Sequence, residues 1–168
     1  MTRAVPEPIQ IVKTRRNSAL EALKARAPYA AYLGVEFERH GDELTTVLPF
    51  RADLVGNPAL QALHGGATAA FLEITAQVAL SWSVVWPLIE ASGAVKTMPA
   101  LPKMPALPRT IDITVDYLRA GLPRDAYARA KITRAGRRFS SVQVHAWQDN
   151  FDRPFAMATG HFMMPDHD

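Results

Sequence analysis

Cysteine is absent from the 168 residues. That excludes a disulfide framework, a thiolate zinc site and a cysteine nucleophile. No uncharged apolar stretch reaches the roughly 20 residues that a membrane-spanning helix needs. The basic N-terminus, MTRAVPEPIQIVKTRRNSAL, has no apolar run behind it and does not read as a secretory signal. Nor does any break in composition divide the chain, whose length suits one domain with one core. The five histidines (His40, His64, His145, His161, His167) lack ligand spacing, so no metal set is expected. His145 and His161 read as strand residues. Together these absences predict a soluble, cytoplasmic protein that uses no membrane.

The charge present is mildly basic, +3 with neutral histidines, and its distribution is more informative than its sum. Between Arg119 and Arg138 lie Arg119, Arg124, Arg129, Lys131, Arg134, Arg137 and Arg138, against Asp125 alone. Such a stretch is either a solvated strand face or a patch that receives phosphates.

Residues 1–13 carry two prolines and little pattern, which predicts a loose arm. Asn17 or Ser18 can then cap a helix reaching about Ala27, with Leu20 and Leu23 on one side. Pro28 opens a second short helical turn that Gly34 stops. Two strands follow around Gly41-Asp42: Val35 and Phe37 share one face of the first, and Leu44, Thr46, Leu48 and Phe50 one face of the second. After the loop RADLVGNPALQAL, the run from Gly65 to Trp82 is too long for a buried strand and apolar nearly all round. It predicts a helix buried on most sides. Glu73, Gln77 and Ser81 form its one polar stripe.

MPALPK at 98–103 repeats at once as MPALPR at 104–109. A proline every third residue keeps the stretch extended and out of a sheet interior, so 87–108 reads as a surface insertion. Beyond it TIDITVDYL alternates, with Ile111, Ile113, Val115 and Tyr117 inward and Thr110, Asp112, Thr114 and Asp116 outward. AYARAKI, FSSVQVHAW and PFAMATGHFMM complete an antiparallel meander, and residues 164–168 a tail. A sheet curled around one helix satisfies this order of elements.

The chemistry concentrates between Asn57 and Glu73. In His64-Gly65-Gly66 the paired glycines let another group approach the backbone at a helix start, where free N–H groups meet the positive end of the dipole. That geometry can hold a carbonyl oxygen as it gains negative charge. Glu73, nine residues past His64 on an otherwise almost uncharged helix, is a candidate base or nucleophile if buried. Blander readings stand beside these: His64 as a junction cap, Glu73 as a member of a solvent stripe, and Asn57 before Pro58 as a turn residue.

The order of elements, the LHGG entry to the helix, the acid nine residues on and the D-x-x-x-x-Y-x-R strand resemble the hotdog-fold thioesterase superfamily. Within it the phenylacetyl-CoA thioesterase-like (PaaI-like) branch is most similar, over about residues 28–163. The resemblance implies an α+β hotdog fold, an antiparallel curved sheet of about six strands wrapped around one long central helix. Residues 1–27 then form an N-terminal arm and helix. It also implies an acyl-CoA thioesterase acting on an aryl- or medium-chain acyl-CoA, with coenzyme A entering as part of the substrate and no cofactor. Carried over, the Gly65 N–H polarises the thioester carbonyl, His64 supports that contact and Gly66 lines the same entry. Glu73 from the partner subunit acts as base or nucleophile, Asn57 positions thioester or water, and Thr110 holds the water. Many members of the branch have Asp where this chain has Glu73. The resemblance implies a homo-oligomer, dimer or tetramer, with each site between subunits. Arg134, Arg137 or Arg138 would meet the coenzyme A phosphates. Two rivals remain, a hotdog enoyl-CoA hydratase or dehydratase and a non-catalytic acyl-CoA-binding protein. A nucleic-acid partner is not expected, because the ~27 residues before Pro28 are too few for a three-helix reading module.

Overall fold

The computed structural model describes residues 8–40, 43–91 and 106–165. Helices α1 (Ile9–Ala25) and α2 (Pro28–Leu33) lead into the hairpin β1 (Glu36–His40) and β2 (Glu43–Leu48). A 3-10 turn at Ala52–Leu54 and two short strands, β3 (Val55–Asn57) and β4 (Ala62–Leu63), precede the long helix α3 (Gly65–Ala91). Strands β5 (Arg109–Tyr117), β6 (Ala126–Arg134), β7 (Phe139–Trp147) and β8 (Ala156–Met163) follow. Six strands form one antiparallel sheet in the order β1-β2-β6-β7-β8-β5, with α3 against its inner face. This is the hotdog arrangement.

Side-chain size explains why the helix can lie so close to the sheet. Most inward positions of β6, β7 and β8 hold small or β-branched residues, among them Ala128, Val142, Val144, Ala146 and Ala158, all buried, with Phe162 near the end of β8 the large exception. Facing them, α3 supplies large side chains: Phe71, Leu72 and Leu80 have almost no exposed surface. Each contributes about 1.5–3 kcal/mol on burial, and the alternation of small and large gives a close-packed interface. By length and apolarity alone, Gly65–Ile89 could cross a membrane, but 56% of that window is buried within the fold, which makes it the core helix. Buried Thr46 of β2 lies 2.5 Å from Thr75 of α3, hydroxyl to hydroxyl, and ties the far side of the sheet to the helix.

Both helical boundaries drawn from the sequence shift. The first helix starts at Ile9 rather than at Asn17 or Ser18. Pro8 stands at its N-cap and accepts from the Ile11 and Val12 amides, a position where the missing proline N–H costs nothing. The anchoring stripe (Arg15, Ala19, Leu20, Leu23) is buried, and the first two turns ride along without one. At the other end α3 continues through Pro87 to Ala91, into the stretch read as an insertion. Tertiary packing carries it. Trp82, Val85 and Ile89 pack against Ala19, Leu20 and Leu23, Trp82 stacks on Trp86, and the Arg16 guanidinium sits 4.1 Å from the Trp86 ring. The first hexapeptide copy lies outside the described residues, as do Gly41 and Asp42. Of the second copy, Pro108 is buried and Leu107 packs on the core, so the surface reading fails there.

Pro87 is exposed and withdraws one amide from the helical ladder. Replacing it by alanine restores that bond, so Pro87→Ala should raise the free energy of unfolding by up to about 3 kcal/mol, read from urea denaturation curves.

Candidate active site

The start of α3 is built by the loop before it. The His64 N–H donates to the Leu54 carbonyl (2.7 Å), the Leu63 N–H to the Gly121 carbonyl (2.9 Å), and the His64 carbonyl accepts from the Thr68 amide (3.0 Å). The His64 ring then turns back over its own helix, and Nδ1 accepts from the Gly66 N–H at 2.9 Å. That bond assigns the neutral ring's proton to Nε2. His64 therefore does cap the junction, and the Gly66 amide is engaged by the ring. The Gly65 N–H is a first-turn amide that no intrahelical carbonyl can reach, and it has no hydrogen bond among the described residues.

Space requires glycine at position 56 here and favours it at 66. A Cβ on Gly66 would come within 3.0 Å of His64 Nδ1, and one on Gly56 within 2.6 Å of the His64 Cα. The Gly65 carbonyl accepts from the Tyr117 hydroxyl at 2.8 Å, which clamps the first turn of the helix to the far end of β5. Asn57 is exposed, and its Oδ1 accepts from the Ala59 and Leu60 amides at 3.1 and 3.2 Å. The described contacts of that side chain are those of a turn.

Glu73 sits in a different neighbourhood, at the near end of β5. The Thr110 hydroxyl donates to its Oε1. Gln77 Nε2 donates to the Pro108 carbonyl at 3.2 Å and lies 3.5 Å from Thr110 Oγ1. Ser81 is buried and donates to the Gln77 carbonyl at 2.9 Å. The polar stripe of α3 thus faces β5 rather than open solvent, and Glu73 is half-buried within it.

Strict alternation had put Thr110 outside and Ile111 inside. The pairing of β5 with β8 shifts between Thr110 and Asp112: a bulge at Ile111 leaves that residue 54% exposed and turns both Thr110 and Ile113 inward. One extra residue re-aims the hydroxyl at Glu73. Tyr117, also assigned inward, is 54% exposed despite its bond to Gly65.

The helix keeps the two halves of the site apart. Gly65 and Glu73 are eight residues distant, about 12 Å along the axis. Arg134, Arg137 and Arg138 are exposed around the β6–β7 turn, on the Thr110 side. Met163 pairs with both Phe139 and Arg109, so that turn and the start of β5 share one end of the sheet. Arg134 covers the Phe139 ring at 4.4 Å. By contrast Arg129 pairs with Glu43 at 2.7 Å and Arg124 with Asp149, so part of the basic stretch is neutralised within the fold. Sequence reasoning missed Gln77, Tyr117 and Gly56 as site residues. For Tyr117 the signal was present in the D-x-x-x-x-Y-x-R strand.

A family model described as the acyl-CoA thioesterase N-terminal domain matches residues 56–163, which span the site from Gly56 to the end of β8. The medium/long-chain acyl-CoA thioesterase YigI of Escherichia coli (strain K12) is 32% identical over 119 residues, 70% of this chain and 73% of that protein. A crystal structure of a Shewanella oneidensis protein related to the thioesterase superfamily is 27% identical with a TM-score of 0.65, covering 95% of this chain and 99% of that one. A Bacillus halodurans protein crystallised with CoA shares the fold at 22% identity and a TM-score of 0.60 over the full length of both chains. Sequence, fold and site agree, and the chain belongs to the hotdog-fold acyl-CoA thioesterase family, whose members are thioester hydrolases.

Proposed function

We propose that the chain hydrolyses medium-chain fatty acyl-CoA thioesters to the free acid and CoA, in the cytoplasm, at sites shared between two copies of itself. The observation that carries this reading is the separation of Gly65 from Glu73 along one helix. A carbonyl at the Gly65 amide is out of reach of the same chain's carboxylate, so a second copy supplies it. The edge position of β5 and the stripe of α3 beside it offer the surface for that copy. The E. coli relative's name favours fatty acyl over aryl substrates.

In this site the thioester carbonyl oxygen takes its hydrogen bond from the Gly65 N–H, at the positive end of α3. His64 supports that amide by holding the next one. Glu73 of the other copy removes a proton from water as the water oxygen attacks the carbonyl carbon. The C–S bond then breaks, and the CoA thiolate leaves with the proton returned by the carboxyl. Thr110, itself approached by Gln77, holds Glu73 Oε1, so Oε2 meets the water. Asn57 Nδ2 can contribute to the thioester or water, since Oδ1 is spent on the turn. Arg134, Arg137 and Arg138, on the copy that supplies Glu73, meet CoA phosphates. An acid oriented toward water favours hydrolysis over simple ligand binding and over hydration of an enoyl group.

Free-thiol release from a panel of fatty acyl- and aryl-CoAs should be fastest with medium chains. Glu73→Ala should lose at least about a hundredfold in rate, as expected for an acid–base group; undiminished turnover would return Glu73 to a structural role. Mixing Glu73→Ala with His64→Ala chains under exchange should restore about a quarter of native activity if the assembly is a two-fold dimer, since half the molecules are heterodimers with one intact site. Charge reversal at Arg137 and Arg138 should raise the KM for acyl-CoA, and an unchanged KM would remove those residues from the substrate's path.

A further inference from the structure

A second group of arginines lies at the opposite end of the sheet from Arg134, Arg137 and Arg138. The loop after β5 and the β7–β8 turn enclose a cleft of about 270 Å³ whose walls include Arg119, Leu122, Gln148, Asp149, Arg153 and Phe155. Its frame is rigidly tied. Gln148 Nε2 donates to the Leu122 and Arg124 carbonyls, and its Oε1 accepts from the Leu122 amide. The Leu118 and Arg119 amides both donate to the Phe155 carbonyl. Phe155 is buried beneath.

The charges in this cleft do not cancel. Its one carboxylate, Asp149, is held by Arg124, while Arg119 and Arg153 have no acidic partner among the described residues. Two cations sharing one concavity favour an anion between them. The cleft also sits beside the catalytic helix. Gly121, two residues past Arg119, accepts from Leu63 next to His64, and a Cβ on it would meet Leu63 and Phe155 at 3.0–3.2 Å.

We propose that the Arg119–Arg153 cleft is a subsite for a phosphate group of the acyl-CoA substrate, supplied by the subunit that contributes the Gly65 amide. This rests on the shared site proposed above. When Gly65 of one copy meets Glu73 of another, the Tyr117 end of one β5 meets the Thr110 end of the other, because Tyr117 holds Gly65 and Thr110 holds Glu73. The Arg119–Arg153 cleft of the first copy and the β6–β7 arginines of the second then flank one reaction centre. CoA carries phosphate at two separated places, the diphosphate bridge and the ribose 3′ position, so two arginine groups from different chains can each take one. Arg119 closes the D-x-x-x-x-Y-x-R strand, which gives the last residue of that pattern a binding role.

The test compares native protein with Arg119→Ala, Arg153→Ala and the double variant, by calorimetric titration with CoA and by kinetics on octanoyl-CoA and octanoyl-pantetheine, which lacks the nucleotide phosphates. Loss of charge-assisted bonds should weaken CoA binding in the double variant at least about tenfold. It should raise the KM for octanoyl-CoA by about tenfold more than that for octanoyl-pantetheine. Unchanged CoA binding overturns the inference, as does an equal rise in both KM values, which marks the arginines as loop supports. Pyrophosphate binding that depends on the arginines without CoA binding also overturns it. A native protein that binds CoA through these arginines but cleaves no thioester keeps the subsite and discards the hydrolase reading; the converse result discards the subsite alone.

Discussion

A helix rises by about 1.5 Å per residue whatever its sequence, and this spacing governs how the site is put together. The free amide that can polarise a carbonyl belongs to Gly65, at the first residue of α3. The carboxylate belongs to Glu73, eight residues further along the same rigid rod. A single chain cannot fold one onto the other without breaking the helix that forms its core. The sheet reinforces the separation. Tyr117 grips the amide end and Thr110 the acid end, so β5 runs beside α3 as a ruler with a site component at each mark. In the proposed shared site, antiparallel meeting of two such rods would solve the problem twice, once at each end.

The same geometry sorts the basic residues. Arginines that pair with acids inside the fold, Arg124 with Asp149 and Arg129 with Glu43, support loops and the outer sheet face. Arg119 at one end of the sheet and Arg134, Arg137 and Arg138 at the other have no acidic partner among the described residues, and they lie near the two components of the candidate site. The arginines of the basic stretch are therefore three populations, and the pairings that divide them are long-range: Arg129 meets Glu43 on β2, far away in the chain.

The order of elements, the buried helix and the meander were legible because each rests on local periodicity. Val35, just before β1, and Phe37 within it face the core as alternation requires, and His145 and His161 lie in strands. The glycine–acid spacing was legible for the same reason, since it is set by one helix. Three things were not. The continuation of α3 through Pro87 depends on α1 packing beneath it, and local rules place a helix end at proline. The early start of α1 lacks an apolar stripe of its own. The facing of Thr110 depends on a bulge that only the partner strand reveals; alternation and resemblance pointed opposite ways there, and the extra residue at Ile111 reconciles them.

That bulge has an evolutionary consequence. Upstream of Ile111 the chain is fastened both to the helix, through the Pro108 carbonyl and Thr110, and to β8, through Arg109 and Thr110; downstream the pairing with β8 continues in the shifted register. Both fastenings begin after Leu107, so a change of length before that residue reaches neither the strand register nor the hydroxyl on Glu73. A tandem copy of MPALP[KR] gained by slippage in the gene before that point leaves both fastenings in place, which makes this junction one where the chain tolerates a change of length.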